Sequence, residues 1–208
     1  MKDKHIDLFQ PEWSDVVFIS NGEPMAEDNW QALLKVCPRA KRSDGVTGRE
    51  AAYKAAARLS NTPWFYALFA KTEVLPTFKF DFVPDYFQEP KHYIFNARNP
   101  VNGLEYGHQG MIAYNKRLVL ENDNPGLDFT LSQPHESVPL LSGIAHFNQD
   151  AWMTWRTAFR EVIKLKHFMA TEPTLETEHR LTTWCTVAQG NFADECLRGA
   201  NDAVAYYN

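Results

Sequence analysis

The feature that most narrows the fold is the alternation of short apolar runs with helical stretches across residues 14–72. VVFIS (16–20) is apolar and rich in β-branched residues, and Asn21-Gly22 ends it, so it reads as a buried strand and a turn. AEDNWQALLKVC (26–37) places Trp30, Leu33, Leu34 and Cys37 at the i, i+3, i+4, i+7 spacing of one helix face. Glu27 and Asp28 fall in its first turn, where the helix dipole favours acids, and Pro38 stops it. AKRSDGVTG (40–48) reads as a polar edge strand and a glycine turn, and the alanine-rich REAAYKAAARLS (49–60) as a helix. NTPWFYALFA (61–70) is a turn leading into another buried strand. Strand, helix, strand, helix, strand in that order predicts an α/β unit with a mainly parallel sheet.

With 44% hydrophobic and 23% charged residues over 208 positions, the chain can bury a sizeable core, which excludes disorder as its main state. Beyond residue 72, Pro76, Pro84, Pro90 and Pro100 separate short aromatic segments. HYIFNA (92–97) and GMIAYNKRLVL (110–120) read as strands, 121–139 as a long polar loop, and SGIAHFN (142–148) as a short strand. Residues 150–170 form the longest expected helix, with Trp152, Trp155, Phe159, Ile163 and Leu165 mostly on one face. Two further helices are expected over 174–187 and 191–207. The organisation predicted is one domain over 1–208, with segments 14–72, 73–149 and 150–208.

The formal charge is −5 and the isoelectric point about 5.8, so a general electrostatic grip on nucleic acid is not expected. Arg156, Arg160 and Lys164 recur at i, i+4, i+8 and form a local basic face, read as a surface helix or as a diphosphate or nucleic-acid contact. The three cysteines, Cys37, Cys185 and Cys196, are widely spaced and in no CxxC pattern, and read as reduced thiols of a cytoplasmic protein. No apolar run approaches the ~18 residues of a membrane span. The first ten residues lack the apolar core of a secretory signal. Neither GxxxxGK(S/T) nor GxSxG occurs, which removes support for a P-loop and for a hydrolase elbow.

The order VVFISNGEP, EDNW, CPRAKRSDGVTG, AAYKAAARLSNTPWFYALFAKTEV resembles the N-terminal half of family-2-type glycosyltransferases with a GT-A fold. More narrowly, the chain is similar to glycosyltransferase-like proteins of tailed phages, including cyanophages. NPVNGLEYGHQG (99–110), SGIAHFNQDAWMTWRTAFRE (142–161), ETEHRLTTWC (176–185) and RGANDAVAYY (198–207) extend that likeness over most of the chain. The resemblance implies a GT-A-like nucleotide-sugar-binding sheet with additional C-terminal helices, and transfer of a sugar from a nucleotide donor, foremost a UDP-sugar. It implies that Ser20, Asn21 and Glu23 face the nucleoside, and that Lys41, Arg42 and Asp44 lie near the base or ribose. A hydroxymethylated pyrimidine in DNA is an acceptor suited to phage biology, by fold-level analogy. No membrane partner is expected, and the host cytoplasm is the implied location.

One departure from the family is chemical. In that group the third strand reads FYVV and continues Asp-Gly-Asp-Ala, the acidic pair that holds a divalent ion on the diphosphate. Here FYAL is followed by Phe69-Ala70-Lys71-Thr72, and the acidic positions match Phe69 and Lys71. A hard cation needs oxygen ligands, which neither side chain supplies, so metal dependence is in doubt. Either Lys71 replaces the ion as a fixed positive charge, or the domain binds or scaffolds without chemistry. Glu73 still offers a carboxylate, and His146 is a weak second metal candidate from the late histidine of many GT-A enzymes.

The segment 99–110 gathers Asn99, Asn102, Glu105, Tyr106 and His108 around glycines. Amide and carboxylate groups suit sugar hydroxyls, and the resemblance places Asn99, Asn102 and His108 near the donor or acceptor sugar. The plainer reading is a hairpin turn. Glu105, Asp128 and Glu136 are candidate general bases, because an inverting transferase must deprotonate the acceptor hydroxyl, and Glu105 and Asp128 are the assignments preferred. His92, His108, His135 and His146 show neither HxxxH nor HExxH spacing, so they do not signal a metal site by themselves.

Overall fold

A computed structural model describes residues 14–123, 126 and 128–208. The N-terminal stretch read as lacking a secretory signal lies outside the described residues. The elements run β1 (Asp15–Ser20), α1 (Ala26–Val36), β2 (Lys41–Asp44), α2 (Arg49–Leu59), β3 (Trp64–Phe69), β4 (Thr72–Val74), β5 (His92–Arg98), β6 (Glu105–Asn115), α3 (Lys116–Glu121), β7 (His135–Ala145), α4 (Ala151–Thr171), α5 (Leu175–Thr186) and α6 (Ala193–Tyr207). The protein is α/β, with a mixed seven-stranded sheet in the order β2-β1-β3-β6-β5-β7-β4. β1 pairs in parallel with β2 and with β3, and β3 pairs antiparallel with β6.

The chain divides into two compact units. The first holds the described residues up to Asn96 together with Gly107–Gly143, and the second holds Ala97–Tyr106 and Ile144–Asn208. In the first unit the central strands β1 and β3 and the inner half of β6 are buried on both sides. Phe18, Tyr66, Leu68 and Met111 face α1 through Leu33, whereas Val17, Phe65, Ala67 and Ile112 face Ala56 and Ala57 of α2. Successive residues of a strand point to opposite faces, so continuous apolar runs such as VVFIS are what a sheet covered on both sides requires. In the second unit α4, α5 and α6 enclose Val162, Leu165, Trp184, Cys196 and Ala200.

Three local expectations are corrected. The strand expected over 110–120 ends at Asn115, and residues 116–121 are the helix α3. The Asn115 side chain accepts from the Leu118 N–H at 3.1 Å, which is an N-cap, and so the apolar run changes period there. The polar loop expected to reach 139 gives way at His135 to β7, whose outer half is solvent-exposed and carries Pro139. On α4 the buried residues are Thr154, Ala158, Val162 and Leu165, while Trp152 is 63% exposed and stacks on Trp155 at 5.2 Å. The reason is close helix packing. A Cβ on Gly199 of α6 would come 2.3 Å from the Trp155 carbonyl oxygen, so only small side chains fit along that contact. Arg156, Arg160 and Lys164 are exposed, and Lys164 pairs with Glu161 at 3.0 Å.

Candidate functional site

The carboxyl ends of the parallel strands are where an open α/β sheet presents loops to a ligand. Register sets Ser20 opposite Asp44 and Phe18 opposite Arg42. Ser20, buried at the end of β1, donates its hydroxyl proton to the Asp44 carboxylate and accepts from Arg42 Nε at 3.0 Å. The same guanidinium reaches Glu27 at 2.7 Å and Asp44 at 3.5 Å. Its carbon lies 5.7 Å from the Phe18 ring centroid and 5.8 Å from that of Trp30, positions that favour a cation over an aromatic face. Hydrogen bonds from Gln31 and Arg42 hold the Glu27 carboxyl below its ordinary range. The Asn21 N–H donates to Glu23 at 2.7 Å, which shapes the turn between β1 and α1.

The segment after β3 is fastened to the same end of the sheet. Ile19 pairs with Phe69, the Ala70 N–H donates to the Ile19 carbonyl at 2.9 Å, and Asn29 of α1 donates to the Ala70 carbonyl at 2.7 Å. Lys71 follows at once and is half-buried, whereas Phe69 packs against Tyr53 at 5.2 Å. Ser20, Asn21, Glu23, Arg42, Asp44 and Lys71 thus cluster on the ends of β1, β2 and β3. Lys41 does not join them: it sits at the start of β2 and pairs with Asp15 at 2.9 Å.

The remaining candidates fall elsewhere. Asn99 and Asn102 hold the tight β5–β6 turn, where Asn99 Oδ1 accepts from the N–H groups of Val101 and Asn102 at 2.9 and 3.2 Å. Glu105 pairs with Arg98 at 2.7 Å across the same hairpin. Asp128 caps a turn, with Oδ1 accepting from the Thr130 and Leu131 N–H groups at 3.0 and 2.9 Å and Oδ2 from Gln109 at 2.8 Å. His108 Nδ1 accepts from the Gly110 N–H at 2.9 Å. Glu73 is exposed on β4 in the first unit, and His146 belongs to the second. Among the described residues, no group of three or more His, Cys, Asp or Glu side chains is arranged to hold a metal ion.

Glu27, Asn29 and Trp30 were not singled out as site residues from sequence. Their signal was present: all three lie in the first two turns of the helix that follows β1, the part of α1 directed at the strand ends. A cleft of about 1120 Å³ opens at the other end of α1, lined by Lys35, Arg39, Phe78 and Lys79 among others, and none of the candidate residues borders it.

No family model and no curated protein matches this chain. Among solved structures, HddC from Yersinia pseudotuberculosis is similar over 63% of this chain and 92% of its own, with 13% identity and a TM-score of 0.38. A likeness of that degree fixes neither the fold family nor the chemistry. Among the described residues, no helix is long and apolar enough to cross a membrane.

Proposed function

We propose that the protein binds a nucleotide sugar, foremost a UDP-sugar, at the ends of β1, β2 and β3, and acts as a GT-A-like glycosyltransferase. The observation that carries this reading is the joining of Ser20, Arg42 and Asp44 into one hydrogen-bonded group beside the segment that bears Lys71. Asp44 and Glu23 supply acceptors for ribose or base donors, and Lys71 supplies positive charge for the diphosphate. The GT-A resemblance and the placement of an antiparallel β6 beside β3 support the same reading.

The residues at the end of β3 do not fit a divalent cation, because Phe69 is packed on an aromatic ring and Lys71 is itself a cation. No step is therefore assigned to a metal. Lys71 is the group proposed to offset the charge of the departing diphosphate. The acceptor is a hydroxyl, for which a hydroxymethylated pyrimidine in DNA is the proposal that fits a phage protein. The engagement of Glu105 by Arg98, and of Asp128 by three donors, favours a second reading, a binding or scaffold domain that keeps the nucleotide site without turnover.

Calorimetry with UDP-sugars in EDTA tests the first reading. Binding that persists in EDTA and weakens by roughly 1.5–3 kcal/mol in Lys71→Ala is the expected result, the range for a hydrogen bond to a charged group. No binding of any common nucleotide sugar at millimolar concentration would overturn it. Binding without transfer to any hydroxyl acceptor selects the scaffold reading.

A further inference from the structure

The cleft of about 1120 Å³ in the first unit has two walls. One is the last turn of α1 with Cys37, Pro38 and Arg39, and the other is the segment 76–83. That segment is neither helix nor strand, yet its backbone is pinned. The Leu75 N–H donates to the Ser142 carbonyl at 3.0 Å, and the Phe78 N–H to the Leu75 carbonyl at 3.0 Å. The Tyr66 hydroxyl accepts from the Phe82 N–H at 3.0 Å. The Phe78 and Phe80 rings stand edge-on to each other at 5.0 Å, and to Tyr66 at 6.3 and 5.0 Å. The opposite wall is held by the Cys37 N–H on the Leu33 carbonyl at 2.7 Å and the Ala40 N–H on the Cys37 carbonyl at 3.0 Å. Both walls are thus preformed, and preformed concave sites with apolar linings are where small molecules bind.

The lining joins two kinds of group. Val36, Phe78, Phe80 and Val83 give it apolar surface, and Val83 is left 46% exposed. Among the described residues that line it, Lys35, Arg39 and Lys79 are cations and Asp81 is the one acid. Lys35 and Lys79 are exposed, and neither pairs with an acid among the described residues. Arg39 donates to the Ser14 carbonyl at 3.0 Å, which fixes its side chain beside them. The whole chain carries a charge of −5, so this excess of cations is a local feature and not a sample of a basic surface.

A neutral apolar ligand would leave these charges unused, and a small inorganic anion would leave the apolar walls in water. An anion with an apolar body meets both. We propose that the cleft binds an amphipathic anion, an apolar chain or ring with one carboxylate or phosphate head. Its body lies on Val36, Phe78, Phe80 and Val83, and its head faces Lys35 and Lys79. The site does not rest on the nucleotide-sugar reading. Glu27 stands in the first turn of α1 and Lys35 in its last, and a helix of 11 residues is about 16 Å long.

Titration of the ¹⁵N-labelled full chain with octanoate and, separately, with octyl phosphate tests it, beside 1-octanol as the neutral probe and acetate as the short one. The amide signals of Lys35, Cys37, Lys79 and Val83 are expected to shift saturably with one or both amphipathic anions, and the melting temperature to rise with the same anion. The anion that acts tells carboxylate from phosphate. Acetate should give no saturable shift, and 1-octanol should bind more weakly than the anion. Lys79→Glu should weaken anion binding at least about fivefold, the scale of an exposed ion pair lost and a repulsion gained, and leave 1-octanol binding unchanged. Arg156→Glu makes the same change in net charge in the second unit and should bind as wild type does. Both side chains are exposed, so neither change should unfold the protein. No saturable shift with either anion, 1-octanol bound as tightly as the anion, or equal affinities in Lys79→Glu and Arg156→Glu would each overturn the proposal. Movement of the same amides on simple dilution would assign the cleft to a second copy of the chain, and would overturn it as well.

Discussion

The Asn29 side chain donates to the carbonyl of Ala70 at 2.7 Å, and so joins the first helix to the residue before Lys71. Asn29 is 4% exposed, and Ala70 is 1% exposed within the same apolar layer. Asn29→Leu would leave that carbonyl buried without its donor, at a cost of about 1–3 kcal/mol. Urea unfolding should show this loss, whereas Lys71→Ala, a change at a half-buried side chain, should unfold within about 0.5 kcal/mol of wild type. A stable Asn29→Leu protein would show that the carbonyl finds another donor and that the end of β3 is not held by α1.

Gly143 of β7 is a second constraint on the same segment. A Cβ there would stand 2.4 Å from the Glu73 carbonyl oxygen and 2.9 Å from the Thr72 methyl. The nearest atom is backbone, so β4 itself would have to move. Gly143→Ala should cost about 1–3 kcal/mol, the range for overpacking. Gly107→Ala is the contrast, because the one close approach of its Cβ would be to the Ser137 hydroxyl, at 3.2 Å, which can turn away, and the Ile94 methyl would stand at an ordinary 3.6 Å. Thermal unfolding that ranks the two variants equally would contradict the close β4–β7 approach.

The layered part of the fold was legible because its signals are local. VVFIS and WFYALF are apolar on both faces, and the helices after β1 and β2 carry their own dipole and alanine signatures, so β1 to β3 follow from the residues. β7 was harder to read. His135, Glu136 and Ser137 are polar because that half of the strand faces solvent, and Pro134 and Pro139 carry the signature of a loop. The aromatic spacing on α4 was real, but the buried stripe is set by the small residues of α6, which lie some 40 positions away in sequence and give no periodic signal within α4. At the candidate site, Ser20, Arg42 and Asp44 could be grouped because strand ends in a parallel sheet are predictable. The bonds that engage Glu105 and Asp128 could not, because each depends on a partner chosen by hairpin register or turn geometry.

The contact between α4 and α6 yields a test confined to the second unit. A Cβ on Gly199 would lie 2.3 Å from the Trp155 carbonyl oxygen and 3.0 Å from its Cα, so Gly199→Ala must push two helix backbones apart. The higher helix propensity of alanine, worth about 1 kcal/mol, acts in the opposite direction. Net destabilisation is nevertheless expected, at about 1–3 kcal/mol, because rigid backbone cannot yield as a side chain can. Amide hydrogen exchange should report it as lost protection in α4 and α6. Unchanged or increased protection there would show that the helices are further apart.

His92 gives the fold a defined acid sensitivity. Its side chain is fully buried, stacked edge-on against Tyr114 at 4.8 Å. The Asn115 N–H donates to Nδ1 at 3.2 Å, so Nδ1 carries no proton and Nε2–H donates to the Gln133 side-chain oxygen at 2.9 Å. Burial pushes the imidazole down from its ordinary value of 6.5 to about 4, against the smaller opposing effect of the Gln133 bond. Between those two values the unfolded chain binds a proton that the folded chain does not, so stability falls as the pH falls from about 6.5 to about 4. Below about 4 both states carry the proton and this contribution stops changing. The full difference amounts to roughly 3 kcal/mol. Carboxylates titrate in the same range, so the comparison is with His92→Leu. That variant should be less stable at pH 7, because Asn115 N–H and Gln133 lose their partner, but its stability should fall less steeply between pH 6.5 and 4. The difference in slope should approach one proton near pH 5, read from urea midpoints across the range. Equal slopes for the two proteins would mean that His92 titrates normally and is not held neutral by the core.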